Sequence, residues 1–546
     1  MTDSYDYIVV GAGTAGCIIA ARLSEDPGIR VLLVEAGGPD RNPMITMPGG
    51  LPFVYQNKRI GWGIRSGPEP YAGDKTIDEK SGRVIGGSSS INAMIFNHGN
   101  PMDFEQWATE DGLTGWDYAH VLPYFRKLET FAEGGNEWRG SEGPVHVTRA
   151  KAAHQFYDAF LRAGEQAGFH VAADHNAYRQ EGLHIAQSFI DQGVRWSSSK
   201  AYLRPAAKRA NLTVLTRRLV TSIIVRDGRA GGVTLVEKGK TRTIRCDREV
   251  VMCAGAMQTP KLLMLSGIGP ADELRRHGIT VVAADDGVGA NLQNHPGVDI
   301  QFGSAYEDSL TSQIGLLKRP RMGLEYVIKK QGLATTNFFE TGAFLRTRDD
   351  VTHPNMQYEF LPLTRQLRRG KLVPVPGFQF WMDLARPLSR GAVTLRSANP
   401  ADQPSVVFNH LQEHQDLRDL VDGVKLAREL VQQPAWQKYH PVQLTPGPDC
   451  SSDADLEAFV RRAVGTSYHA SGTCRMGSEV GSVVDEHGRL RAVGGIRVAD
   501  ASIMPKVITG NINAPVMMMA EKIADHVRGR TPLPPSAASF YRTRRS

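Results

Sequence analysis

The chain of 546 residues reads as a mixed α/β protein with two domains. Three observations carry that reading. Residues 5–35 run from an apolar strand through a glycine turn and a small-residue helix into a second apolar strand. Residues 211–255 alternate strand-like runs with turn pairs. Residues 300–460 change texture to alternating apolar segments and then a helical pattern. The length exceeds one ordinary core.

In the first unit, residues 7–10 meet Gly11, Gly13 and Gly16, and residues 31–34 end in Glu35. Gly11 permits a tight turn, Gly13 lets backbone approach a pyrophosphate, and Gly16 lets helix pack on strand. The pyrophosphate then rests on N–H groups at the positive end of the helix dipole. Glu35 can accept hydrogen bonds from both ribose hydroxyls, and its charge disfavours the 2′-phosphate of NADP. The unit does not separate FAD from NAD, since both carry an ADP half. Its place at the start of a long chain leans towards FAD.

Residues 82–100 form a second loop, in which Gly86-Gly87-Ser88-Ser89-Ser90 offers backbone N–H groups and hydroxyls to a phosphate or flat ring. Amphipathic patterns predict helices near 102–132 and 154–168. The strands of 211–255 are joined by Asp227-Gly228 and Lys238-Gly239. Residues 247–269 read as a strand, a small-residue turn and a short helix. The alternating runs 356–361 and 378–384, followed by a helix near 413–432, predict a sheet flanked by helices. Nucleotide signals return after 465. The expected architecture is a Rossmann-like nucleotide domain built from 1–150, 200–300 and 465–530. A substrate domain of 151–199 and 301–464 carries an antiparallel sheet flanked by helices, and a basic tail follows at 531–546.

Composition narrows the function classes. The chain is 41% hydrophobic and 22% charged, an ordinary globular balance. No apolar run approaches the roughly 20 residues that span a bilayer. The N-terminus lacks a basic segment before an apolar stretch, so no secretory signal is expected. Five scattered cysteines fit reduced core residues of a cytoplasmic protein. His410 and His414 have metal-ligand spacing but no third ligand, and read as a solvated helix start; no metal is expected. The net charge of +7 is dispersed except in the tail, where Arg542, Arg544 and Arg545 cluster. That cluster reads as a solvated, disordered end, with weak attraction to an anionic inner-membrane surface as the alternative. Nucleic acid is excluded for want of an aromatic-plus-basic platform.

The chemistry concentrates in 465–477 and 494–515. His469 lies among small residues, where an imidazole can face a cavity and act as a general base. Asp500 follows a short strand. Asn511 and Asn513 precede the Met-rich helix 516–527, where an Asn cap is the simplest reading.

Five signatures, GAGTAG (11–16) with Glu35, GRVIGGSSSIN (82–92), GAMQTPKLLMLSGIG (255–269), SYHASGTCRMG (467–477) and RVADASIMP with GNINAP, occur in one order. From about residue 5 to 528 the chain resembles the glucose–methanol–choline (GMC) oxidoreductase family, and within it the bacterial choline-dehydrogenase-like branch. The resemblance implies an FAD enzyme that oxidises alcohols, with a His removing the hydroxyl proton and hydride passing to flavin N5. It assigns His469 as base and Asn513 as the residue that positions the substrate oxygen, with Asn511 as the alternative. It also assigns Gly11, Gly13, Gly16 and Glu35 to the ADP half, and Thr14, Ala15 and Ala36 to the cofactor site. Gly87, Ser88, Asn92 and Ala93 go to pyrophosphate and flavin, Val220 goes to adenine, and Arg83 goes to the cofactor site. Asp500 and Asn511 go to the ribityl chain and isoalloxazine, and Ala254, Gly255 and Ala501 complete the cofactor contacts. Ile91 stands where some members attach FAD through a His, so non-covalent FAD is expected. Asn294 stands where relatives commonly have Asp, and His295 is expected to be a structural loop residue.

Trp62, Glu340 and Tyr468 are the candidate substrate pocket, an aromatic and anionic set that suits a quaternary ammonium. Because an acid at the Glu340 place also occurs in relatives without cationic substrates, a neutral primary alcohol is the expected substrate. A dehydrogenase is expected, with oxygen, a quinone or another electron acceptor left open. The alternatives are an oxygen-using oxidase, a choline dehydrogenase, a cyanohydrin lyase retaining FAD, and a non-catalytic flavoprotein.

Overall fold

The computed structural model describes residues 4–543 except 307–308, 316–317 and 369–370. In the first sheet, strand Ser4–Val10 lies parallel between Val31–Glu35 and Lys240–Met252. Leu212–Thr216 extends the parallel array beyond Val31–Glu35. Ile496–Val498 joins the last residues of Lys240–Met252. Every residue of Val31–Glu35 is buried, as a strand covered on both faces requires, which explains its continuous apolar run. Helix Thr14–Leu23 packs against the almost wholly buried helix Asn513–Val527, bringing the chain's two ends together. Leu219–Arg226 and Arg229–Glu237 fold back antiparallel on the first half of Lys240–Met252. Asp227-Gly228 and Lys238-Gly239 all have positive φ, the backbone that two-residue hairpin turns need.

The second sheet runs in the order Val442–Thr445, Pro296–Gly303, Gly377–Leu384, Met356–Leu361, Thr341–Leu345, Gly182–Ile185, Val171–Ala172, antiparallel except for the last pair. Gly465–Thr466 also pairs with Pro296–Gly303, so the expected divisions at 300 and 465 fall within or beside strands of this sheet. Strand alternation sorts its two faces. Val298, Ile300, Phe302, Met356, Tyr358, Phe360, Phe378, Phe380, Met382 and Leu384 form one core with Leu417, Leu420, Val424 and Leu456 of the helices His414–Gln432 and Asp453–Ala463. Asp299, Glu359, Gln379 and Trp381 point the other way, towards the first sheet. One face makes the domain stable; the other makes the site.

Two expectations are corrected. The tail is not a solvated end: as far as Thr543 it lies along the surface as an extended strap. The Ser536 N–H donates to the Ala119 carbonyl at 2.8 Å, and Tyr541 N–H to Tyr178 at 2.7 Å. Phe540 packs edge-on to Tyr118 at 5.2 Å, and Arg542 pairs with Glu105 at 2.9 Å. Apolar rings in a Pro/Ala/Ser context have surface to cover, which outweighs the disorder suggested by composition. Arg544 and Arg545 lie outside the described residues. His410 is not solvated either; it is buried and stacks on Phe408, with ring centroids 5.0 Å apart. No group of three potential metal ligands occurs among the described residues. No helix among them is long and apolar enough to cross a membrane.

Phe380 is fully buried among Phe160, Phe360 and Phe378. Phe380→Ala should destabilise the second domain by about 3–5 kcal/mol, read as a lowered urea midpoint in tryptophan fluorescence. An unchanged midpoint would contradict this packing.

Candidate active site

A cavity of about 810 Å³ lies between the C-terminal ends of the parallel strands and the polar face of the second sheet. Its nucleotide end is made by two loops in backbone contact. Gly11, at φ +96°, has no room for a side chain: a Cβ would stand 2.5 Å from the Cys253 carbonyl oxygen. Gly87, at φ +53°, would place a Cβ 2.6 Å from Gly13 Cα. Helix Thr14–Leu23 starts at Gly13 with no side-chain cap, leaving its first N–H groups as an anion cradle. These features fit a dinucleotide.

Glu35 is buried and accepts from Gly37 N–H at 2.7 Å and Ala12 N–H at 2.8 Å. Burial pushes its carboxyl up, against the lowering effect of those two bonds. Asp500 is likewise raised by burial. Its Oδ2 accepts from Gly255 N–H at 2.8 Å and from the Thr259 hydroxyl at 2.6 Å, so it caps helix Gly255–Leu265.

Of the residues expected around the cofactor, Gly11, Gly13, Thr14, Ala15, Glu35, Ala36, Gly87, Ser88, Asn92, Ala93, Val220, Ala254, Gly255, Asp500, Ala501 and Asn511 line the cavity. Two do not. Gly16 lies behind the turn, where a Cβ would stand 1.8 Å from the Gly11 carbonyl oxygen, so its work is helix–strand packing. Arg83 stacks over the Trp62 ring at 5.0 Å from its centroid. Reading the sequence missed Arg195, which is buried and braces the second loop. Its Nη1 donates to Asn92 Oδ1 at 2.8 Å, and its Nε to the Ile45 carbonyl at 2.8 Å. Nothing local in VRWSSSK marks it.

The other end of the cavity holds His469. Its backbone N–H donates to Asn294 Oδ1 at 2.8 Å, and the Asn294 amide donates to Thr466 Oγ1 at 2.5 Å. Tyr468 sits at φ +64°, a strained backbone for a bulky residue, which turns the imidazole into the cavity. The Nδ1 atoms of His469 and His295 are 2.8 Å apart. His295, expected as a structural loop residue, therefore backs the candidate base directly. Burial, then the neighbouring His295, holds the His469 pKa well below the usual imidazole range. Burial brings His295 down to about 4. Both rings are neutral at pH 7.

Asn511 and Asn513 both line the cavity, and it is Asn511 that stands beside His469. Asn513 opens the last helix and accepts from the Thr14 hydroxyl at 2.8 Å, tying the two chain ends. Asn511, still in the loop, places Nδ2 3.5 Å from His469 Nε2 and 3.0 Å from Glu359 Oε1. Its Oδ1 accepts from Gln357 Nε2 at 3.1 Å, which orients the amide with its donors towards His469 and Glu359. A donor facing Nε2 implies a lone pair there, with the His469 proton on Nδ1 directed at His295. Nε2 is thus set to receive a proton.

Glu340 is also corrected. It does not line the cavity; its carboxylate accepts from the Thr336 hydroxyl at 2.5 Å, just before strand Thr341–Leu345. Glu79, Asp299 and Glu359 line the cavity instead, beside Tyr55, Trp62, Trp381 and Tyr468. Burial pushes Glu79 up to about 7 and Asp299 up to about 6, and raises Glu359 as well. Tyr55 meets Tyr468 edge-on at 5.9 Å.

A glycine-lined dinucleotide cradle ending at a buried, neutral imidazole defines a nucleotide-cofactor oxidoreductase. GMC oxidoreductase family models match residues 5–297 and 387–520, and the chain belongs to the GMC oxidoreductase family. It is 43% identical over 536 residues to an oxygen-dependent choline dehydrogenase of Burkholderia cenocepacia, covering 97% of this chain and 95% of that one. It is 42% identical over 542 residues to the oxygen-dependent choline dehydrogenase of Chromohalobacter salexigens, covering 98% and 97%. Among solved structures it is similar to pyridoxine 4-oxidase from Mesorbium loti, with a TM-score of 0.86 at 28% identity over 96% of this chain and all of the other. Formate oxidase from Aspergillus oryzae gives a TM-score of 0.90 at 26% identity, covering 96% and 98%. The protein is an FAD-dependent oxidoreductase acting on alcohol donors.

Gly87→Ala should push the two cradle loops apart and lower the flavin-to-protein ratio of the purified enzyme. A ratio equal to wild type would show that the loops do not need this approach.

Proposed function

We propose that the protein oxidises a small primary alcohol to the aldehyde, with His469 as general base and Asn511 as the donor that holds the substrate oxygen. The observation that carries the reading is the pairing of a neutral imidazole, its Nε2 lone pair exposed to the cavity, with an oriented amide donor. FAD, when bound, supplies the hydride acceptor for the carbinol carbon. His469 Nε2 takes the hydroxyl proton, and the Asn511 amide stabilises charge as it develops on oxygen. The His295 ring fixes the tautomer and the plane of His469. The aromatic walls exclude water and orient the substrate. Ile91 offers no imidazole for attachment, so the cofactor is held without a covalent bond.

A cationic alcohol is favoured as a second reading by Glu79, Asp299 and Glu359 facing one cavity with four aromatic rings. The choline dehydrogenase relatives support it. Those carboxyls titrate near neutrality, so the sign of a pH effect separates the two readings. Below about pH 6 they are protonated and attract no cation; above about 7 they are ionised.

An anaerobic panel of alcohols followed by flavin absorbance tests both, with choline set against its neutral isostere 3,3-dimethylbutanol. A neutral-alcohol site predicts that the isostere reduces the flavin at least as well, with a KM indifferent to pH. A cation site predicts preference for choline, with its KM falling as pH rises from about 6 to 7. Bleaching by no alcohol at all would refute oxidation. Admitting air then reads the acceptor.

His469→Ala should retain flavin and slow anaerobic reduction by about 10²-fold or more. Asn511→Ala should slow it too, whereas Asn513→Ala should chiefly loosen cofactor retention. The reverse pattern would return the positioning role to Asn513. Acid denaturation should release all flavin, and colour left on the polypeptide would disprove non-covalent binding.

A further inference from the structure

The helix Arg319–Lys329 carries its apolar side outwards. Tyr326 is its buried anchor, donating its hydroxyl to the Thr46 carbonyl at 3.2 Å. Leu324, Val327 and Ile328 are 61%, 68% and 68% exposed. With Pro320, their spacing of i, i+4, i+7 and i+8 puts all four on one stripe, where a solvent-facing helix would carry polar residues. Charge flanks the stripe: Lys318, Arg319, Arg321, Lys329 and Lys330 against the single acid Glu325. The helix borders the mouth of the active-site cavity, since Thr311, Ile314 and Arg319 line it. The short helix Leu51–Gln56, whose Leu51, Pro52 and Tyr55 also line the cavity, exposes Phe53 by 51%.

We propose that this face is a docking surface for an anionic lipid bilayer, with Leu324, Val327 and Ile328 entering the headgroup boundary and the cavity mouth held at the membrane surface. An exposed apolar stripe rimmed by lysine and arginine is the pattern of an interfacial helix: burial of the stripe and attraction to lipid phosphates act together. The charge argues against a second copy as occupant. A twofold interface would set this cationic rim against itself, whereas an anionic surface complements it. The tail is a poorer contact, because Arg542 is already paired with Glu105.

The test is co-sedimentation of the FAD-loaded enzyme with vesicles, one set containing phosphatidylglycerol and the other pure phosphatidylcholine. Wild type should bind the anionic vesicles roughly tenfold or more tightly, and less so in high salt. The combined Leu324→Glu, Val327→Glu and Ile328→Glu variant should lose roughly tenfold or more of that binding. These exposed side chains lie outside the cavity lining, so flavin content and flavin reduction in solution should stay at wild-type levels. Failure of wild type to bind anionic vesicles would overturn the proposal, as would equal binding by the variant. So would velocity sedimentation of a wild-type dimer that the variant abolishes, since that would assign the face to a second copy.

Discussion

The amide of Asn511 is the point on which the site depends. Its oxygen accepts from Gln357 and its nitrogen faces both Glu359 and His469. Gln357 and Glu359 belong to the antiparallel sheet, while Asn511 leads into the helix that packs on Thr14–Leu23. One planar group therefore joins the polar face of the second sheet to the nucleotide unit and orients a donor at the imidazole. A planar amide cannot rotate freely once both ends are engaged, so its nitrogen stays facing His469.

The second constraint is the period of two in the antiparallel strands. Within Met356–Leu361 the same alternation sends Tyr358 into the core and Glu359 into the cavity. A slip of one residue would exchange those faces and place carboxylates among Phe378, Phe380 and Trp436. Stability of the aromatic core thus holds the acidic and aromatic wall of the site in register. The same burial raises the carboxyls and lowers the imidazoles, so the two rings are neutral at pH 7 while Asp299 and Glu79 change charge between about pH 6 and 7.

The glycine-rich cradle was legible because its chemistry is local. Gly11, Gly13, Gly16 and Glu35 lie within one strand–turn–helix–strand unit, and each is dictated by neighbours a few residues away. His469 was legible for a similar reason, its small-residue surroundings leaving space for a ring. Glu340 was misplaced because a carboxylate just before a strand can turn to either side, and here Thr336 holds it. Arg195 was invisible because its partners, Asn92 and Ile45, are more than a hundred positions away in the chain. The strap at 531–543 was misread because Pro, Ala and Ser suggest disorder, while Phe540 and Tyr541 find aromatic partners only after folding.

By itself the sequence determined the class of protein: a dinucleotide unit, a second sheet with one apolar face, a candidate base and five signatures in family order. Those depend on residue type and short-range spacing. Only the tertiary structure put Asn511 rather than Asn513 beside His469, set His295 behind it, and brought Glu79, Asp299 and Glu359 rather than Glu340 to the cavity. These choices rest on which distant side chains meet across the two sheets, and strand pairing rather than local chemistry settles that.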